Sequence, residues 1–173
     1  WPHSMLLLSA IAARTHKIRL FAGAIIVPLR HPIDLAKQLA TLDCLAEGRL
    51  IVQPTVSWHK DEYDALGIPF AKRGELLDEH LAAWQVLWRD GPASFEGKHY
   101  RFRDVYLEPK PWRTGGPTLW FGGQALHPPL LRRLVQYGRG FHPLGPPAPH
   151  ELAQLQEALA VAGRSFDEFE KIG

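Results

Sequence analysis

Apolar positions along this chain switch repeatedly between helical spacing and short unbroken runs, which predicts helices alternating with buried strands. Residues 4–16 set Leu7, Leu8, Ile11 and Ala12 on one face, with Ser4 as N-cap. Lys17 to Val27 reads as a buried strand that Pro28 stops, since proline has no N–H for a ladder. His31-Pro32 opens the next helix, with proline at its first position, Asp34 in its first turn and Leu35, Leu39, Leu42 and Leu45 as its buried stripe. Gly48 falls where a left-handed C-cap is wanted, and Arg49 to Val52 is a short apolar run suited to burial on both faces. The chain then leaves that strand through Pro54-Thr55-Val56-Ser57-Trp58 into a charged loop, His59 to Tyr63. A long helix follows from Ala71 to Arg89, its stripe formed by Leu77, Leu81, Trp84 and Trp88.

Gly91-Pro92 ends that helix, and Ser94 to Leu107 reads as a hairpin around Glu96-Gly97, lying outside the main sheet. Thr118 to Phe121 is the next inner strand, closed by Gly122-Gly123. Leu130 to Tyr137 is a helix capped by Gly138. Arg139 to Leu144 is a strand whose end carries His142-Pro143. A proline-rich loop, 145–149, leads into a helix from Glu151 to Ala162, a turn at Asp167-Glu168, and the start of a further strand at Lys171-Ile172-Gly173. Strand and helix alternating at this spacing argue for an α/β fold with a parallel sheet and crossover helices. A doubly wound sheet and a barrel both satisfy the pattern.

Composition changes the picture little. With 46% hydrophobic and 22% charged residues the chain is ordinary globular material, and its 173 residues predict one domain, 1–173. A net charge of +2 without a basic block gives nucleic-acid binding no support. No apolar run approaches the roughly 20 residues of a spanning helix, and Leu6-Leu7-Leu8 lacks the flanks of a signal peptide. The single Cys44 reads as a reduced core thiol, hence a cytoplasmic protein. None of the nine histidines shows a familiar metal spacing, so no metal is expected.

The stretch from Leu42 to Glu79 organises the rest. Gly48-Arg49-Leu50-Ile51-Val52, then Ser57-Trp58-His59, Glu62-Tyr63-x-Ala65-x-Gly67, Arg73-Gly74 and Leu77-x-Glu79 resemble the luciferase-like monooxygenases, flavin- and deazaflavin-dependent TIM barrels. The resemblance continues through Phe95-Glu96-Gly97, Pro109-x-Pro111 and Trp120-Phe121-Gly122-Gly123, and so covers nearly the whole chain in order. It implies a (β/α)8 TIM barrel. A complete barrel takes roughly 250 residues, so this chain would represent it in part, about strands three to six of eight. The chain also opens on Trp1-Pro2 rather than methionine, and a piece of a longer protein is expected. Half a barrel leaves open sheet edges, which together with the resemblance suggests a homodimer.

The resemblance also implies where a cofactor would sit. Thr55, Val56, Ser57 and Trp58 follow a parallel strand, where α/β proteins place ligands. There a hydroxyl and backbone amides would meet the polar edge of a flavin-type ring while the indole packs at the barrel mouth. Ala24 and Ile25 match a position where the family often has a non-proline cis peptide behind the ring. Gly122, Gly123 and Gln124 lie between a strand and a helix, where close backbone approach and a helix N-terminus suit a phosphate tail. The family's usual Gly-x-Gly-x-Gly is Gln53-Pro54-Thr55-Val56-Ser57 here, so side chains replace glycines near the cofactor. His142 and His59 are the acid–base candidates, because imidazole titrates near neutrality. Arg73 and Glu79 match family positions and are expected to serve as an ion pair or a helix start.

On this reading the protein is an oxidoreductase moving hydride between coenzyme F420 and a small organic substrate; an FMN-dependent luciferase-like monooxygenase is the alternative. A cofactor-free binding homologue is the alternative from another class. A barrel hydrolase is the weakest, since Asp61-Glu62 is its only paired carboxylate and neighbours in sequence rarely reach the separation glycosidases need.

Overall fold

The structure, a computed structural model, describes residues 2–171. Ile172 and Gly173, the end of the expected last strand, lie outside the described residues. The chain forms two compact units, residues 1–117 and 118–173.

In the first unit, helix α1 (Ser4–Ala12) leads into strand β1 (Leu20–Ile26), helix α2 (Pro32–Leu45) and strand β2 (Leu50–Thr55). Strands β1 and β2 pair in parallel, Leu20 opposite Leu50 and Ile26 opposite Thr55. The short helix α3 (Lys60–Ala65), the long helix α4 (Arg73–Leu87) and the antiparallel hairpin of β3 (Ala93–Glu96) and β4 (Arg101–Val105) complete the unit. In α2, Leu35, Leu39 and Leu42 are buried as expected, but Leu45 is 46% exposed. At helical spacing the stripe continues to Ala46, which is fully buried, so the side chain one residue earlier falls off the apolar face. Trp84 and Trp88 of α4 stack at 5.4 Å and donate their indole N–H groups to the carbonyls of Pro32 and Ala36 at 3.2 Å each. Helix α4 is thereby pinned to the opening turns of α2.

Four further expectations need correction here. Helix α1 stops at Ala12 instead of His16, and its buried seam is Met5 and Ala12, with Leu7 exposed. The stop has a visible cause: the Arg49 guanidinium donates to the carbonyls of Ala12, Thr15 and Ile18 and to the Thr15 hydroxyl, at 2.7–3.4 Å. Those carbonyls point away from a helical ladder, and Arg49 satisfies them instead. Arg49→Ala is expected to destabilise this unit by about 2 kcal/mol in urea unfolding; a loss below about 0.5 kcal/mol would show that water replaces the guanidinium without cost.

Second, β1 is buried on one face only, since Phe21, Gly23 and Ala24 are exposed. Third, β2 runs through Pro54 to Thr55, where the sequence alone has the strand ending. Proline is tolerated because the β1–β2 register shifts between Gly23 and Ile25, directly opposite, so no regular ladder bond is demanded of it. Cys44 is half-buried instead of a core thiol, and its Sγ lies 3.0 Å from the Lys110 carbonyl as donor.

In the second unit, β5 (Thr118–Phe121), β6 (Gly140–Phe141) and β7 (Glu170–Lys171) pair in parallel in that order. Helices α5 (Pro128–Tyr137) and α6 (Pro149–Val161) pack on each other, with Leu134, Leu155 and Leu159 fully buried. Strand β6 is much shorter than Arg139 to Leu144, because His142 onward turns into the loop after it. Arg164 closes the end of α5 by donating to the carbonyls of Leu134, Val135 and Gly138, as Arg49 does for α1.

Candidate functional site

In the first unit the carboxyl ends of β1 and β2 lie side by side, with Ile25 opposite Pro54 and Ile26 opposite Thr55. Ala24 is exposed there and Ile25 buried. Both line a cavity of ≈ 320 Å³ that also reaches Ile26, Leu29 and Arg30. A non-proline cis peptide is present, between Gly23 and Ala24, one bond before the Ala24-Ile25 pair.

Beyond β2 the chain is held rigidly by α3. The Tyr63 hydroxyl donates to the Val56 carbonyl. The phenol is fully buried, and burial pushes its pKa up to about 12, so it remains a donor at any working pH. Ser57 adopts a left-handed backbone, φ 57°, of the kind a glycine takes without cost. Its hydroxyl donates to Glu62 Oε2 at 2.9 Å and accepts from the His59 N–H at 3.2 Å. The hydroxyl proton is therefore committed, and what Ser57 offers a ligand is a lone pair and its backbone. Gln53 and Pro54 are buried within β2, so the side chains replacing the family's glycines do not crowd the strand end. The residues present fit a flat ring laid against this end of the unit.

Trp58 does not pack into a mouth. It is 83% exposed and meets the exposed His59 ring edge-on at 5.2 Å. The stretch read as a charged loop is α3 itself, with Asp61 and Glu62 in its first turn and Lys60 paired to Asp64 one turn on. Acids in a first turn are a start signal, and it was available in the sequence. Glu62 and Tyr63, which set the geometry of Ser57 and Val56, are residues that sequence reasoning missed.

In the second unit Gly122 and Gly123 leave β5 beside the loop that leaves β6. The His142 N–H donates to the Phe121 carbonyl at 2.9 Å and the Leu144 N–H to the Gly123 carbonyl at 3.1 Å. His142 is half-buried, and Gln124 is exposed. The expectation that α5 turns a free N-terminus toward a phosphate fails. Pro128 and Pro129 have no N–H, the Leu130 N–H donates to His127 Nδ1 at 3.2 Å, and the Leu131 N–H to the His127 carbonyl. Any anion held here meets the Gly122–Gln124 backbone. Glu151, also missed, donates nothing and accepts twice, from the N–H of Leu126 at 2.7 Å and of Ala148 at 2.9 Å. Those backbone donors hold its carboxyl below the usual range.

The structure thus brings Ala24, Ile25, Thr55, Val56 and Ser57 together in one unit, and Gly122, Gly123 and His142 in the other. Arg73 makes no pair with Glu79. It starts α4, donating to the Phe70 carbonyl at 3.0 Å with its guanidinium 3.8 Å over the Phe70 ring. Among the described residues no three metal-ligating side chains converge, and no helix is long and apolar enough to cross a membrane.

The fold has counterparts among known proteins. The chain is 34% identical over 119 residues to the FMNH(2)-dependent dimethylsulfone monooxygenase of Pseudomonas putida, covering 67% of this chain and 32% of that one. The monooxygenase RslO1 of Streptomyces bottropensis superposes with a TM-score of 0.83 at 28% identity, over 95% of this chain and 51% of that one. The coenzyme F420-dependent tetrahydromethanopterin reductase of Methanopyrus kandleri shares the fold, with a TM-score of 0.79 at 23% identity over 97% of this chain and 52% of that one. The chain spans less than half the length of the curated relatives it matches. Its fold is the α/β TIM barrel, represented in part. The model of the luciferase-like monooxygenases matches residues 1–172, and the chain belongs to that family.

Proposed function

We propose that the chain is part of an oxidoreductase that takes a flavin-type cofactor at the carboxyl ends of β1 and β2, with coenzyme F420 as that cofactor. The observation that carries the reading is the strand end itself: exposed Ala24 near the end of β1 and, just beyond the end of the paired β2, a left-handed Ser57 whose side chain is drawn to Glu62. Such a surface offers backbone and one lone pair to a flat ring. The deazaflavin choice rests on the resemblance of the loop from Ser57 to Gly67. A bound deazaflavin supplies hydride chemistry, and a bound flavin supplies oxygen activation as well. The chain's own part is positional. Tyr63 keeps the Val56 carbonyl in place and Ser57 accepts from the ring edge. In the second unit the Gly122–Gln124 backbone suits a phosphate. FMN is the second reading, favoured by the FMNH2 dependence of the 34%-identical dimethylsulfone monooxygenase.

Fluorescence titration of the folded protein with F420 and, separately, with FMN tests this. Saturable micromolar quenching by F420 is the expected result. A preference for FMN would transfer the reading to the monooxygenase, and binding of neither would leave the cofactor-free homologue.

A further inference from the structure

A second cleft, ≈ 480 Å³, lies in the first unit between the turn after β1, the segment after α3 and the hairpin turn. Its floor is apolar, formed by Leu29, Ile68 and Leu76, and its rim carries Arg30, His31 and Tyr100. Each rim group is oriented as a donor. The His31 Nδ1 accepts from the Ile33 N–H at 3.3 Å, which leaves its ring proton on Nε2. The Tyr100 ring is fixed edge-on between His31 at 5.7 Å and His80 at 4.8 Å, while its hydroxyl makes no hydrogen bond among the described residues. Arg30 spends Nη1 on the Ile26 carbonyl at 3.1 Å, and its guanidinium meets no carboxylate among the described residues.

The backbone under this rim is rigid. His80, fully buried, has its ring nitrogens 2.8 Å from the Leu76 carbonyl and 2.9 Å from the Arg30 carbonyl. Glu79 holds the backbone N–H of Tyr100 at 3.0 Å. Two donors and one permanent positive charge over an apolar floor match one negative charge on an apolar body, and the nearby Glu75 carboxylate, at the His99 edge of the cleft, is already paired with Lys72, Lys98 and His99. The volume suits a single ring or a short chain. The cleft adjoins the cavity at Ala24, since Leu29, Arg30 and Leu66 line both.

We infer that this cleft binds a small organic monoanion, an aryl or alkyl carboxylate, with its charge on Arg30 and Tyr100 and its apolar body reaching toward Ala24. On the reading that Ala24 borders the cofactor, this is the substrate's recognition subsite; that last step rests on the proposed function, and the binding site does not.

Calorimetric titration of the full chain with benzoate, with benzyl alcohol as the neutral comparator, tests it. Benzoate is expected to bind saturably, and the alcohol at least about tenfold more weakly. Tyr100→Phe, which removes one hydroxyl, weakens benzoate about fivefold, and Arg30→Met about tenfold or more, each checked for an unchanged melting curve. A folded wild type that binds no benzoate, or a Tyr100→Phe protein that binds it equally well, overturns the inference. The same titration with F420 or FMN present separates the two readings. Benzoate binding without cofactor binding keeps the cleft and removes the redox role. Cofactor binding without benzoate binding does the reverse.

Discussion

Trp84→Ala is expected to lower the stability of the first unit by about 4 kcal/mol, a fall in Tm of roughly 10 °C or more. The side chain is fully buried, so its removal costs the transfer of a large aromatic group plus the cavity left behind. It also removes the second hydrogen bond of the Pro32 carbonyl, which receives the indole N–H at the first position of α2, and it unstacks Trp88. Trp84→Phe separates these contributions, because it keeps most of the volume and loses the hydrogen bond; about 1–2 kcal/mol is expected. Urea unfolding followed by circular dichroism measures both. If the alanine variant lost less than about 1 kcal/mol, α4 would not be the clamp on α2 described above.

Glu79→Ala should cost about 3 kcal/mol through a different mechanism. The carboxylate accepts from the backbone N–H groups of Lys98, His99 and Tyr100, which turn toward it at the tip of the β3–β4 hairpin. Partial burial pushes its pKa upward, but the three donors outweigh that and hold it below the usual carboxylate range. A depressed folded-state value has a definite sign. The stabilisation is complete above the unfolded value, about 4.3, and is lost as pH falls through the folded one. Wild type should therefore lose stability in acid more steeply than Glu79→Gln. The difference between them, about 2 kcal/mol at neutral pH, should shrink toward the acid end. Parallel curves in a pH series of urea midpoints would remove Glu79 from this role.

Much of the fold was legible because the strands and the long helices carry their own patterns. The Leu35/Leu39/Leu42 spacing of α2, the Leu77/Leu81/Trp84/Trp88 stripe of α4 and the unbroken Thr118–Phe121 run all led to elements that exist. What escaped were ends and anchors set by groups distant in sequence. Nothing near Ala12 announces that Arg49 will end α1, and nothing near Pro54 shows the shift of β1 opposite it. The general location of the candidate site was legible for a topological reason, since loops after parallel strands converge at one end of a sheet. Its inner geometry was not. Glu62 and Tyr63 belong to what the sequence presents as a charged loop, yet they fix Ser57 and Val56, and Trp58, expected to pack at the barrel mouth, stands in solvent.

Glu151 has a kinetic meaning beyond the bonds it makes. With one carboxylate oxygen on the loop after β5 and the other on the loop before α6, it joins two segments that chain connectivity leaves independent. Neither can swing outward without breaking the same carboxylate's contacts, so they share one opening event instead of two. In hydrogen exchange the Leu126 and Ala148 amides would then report a common protection factor.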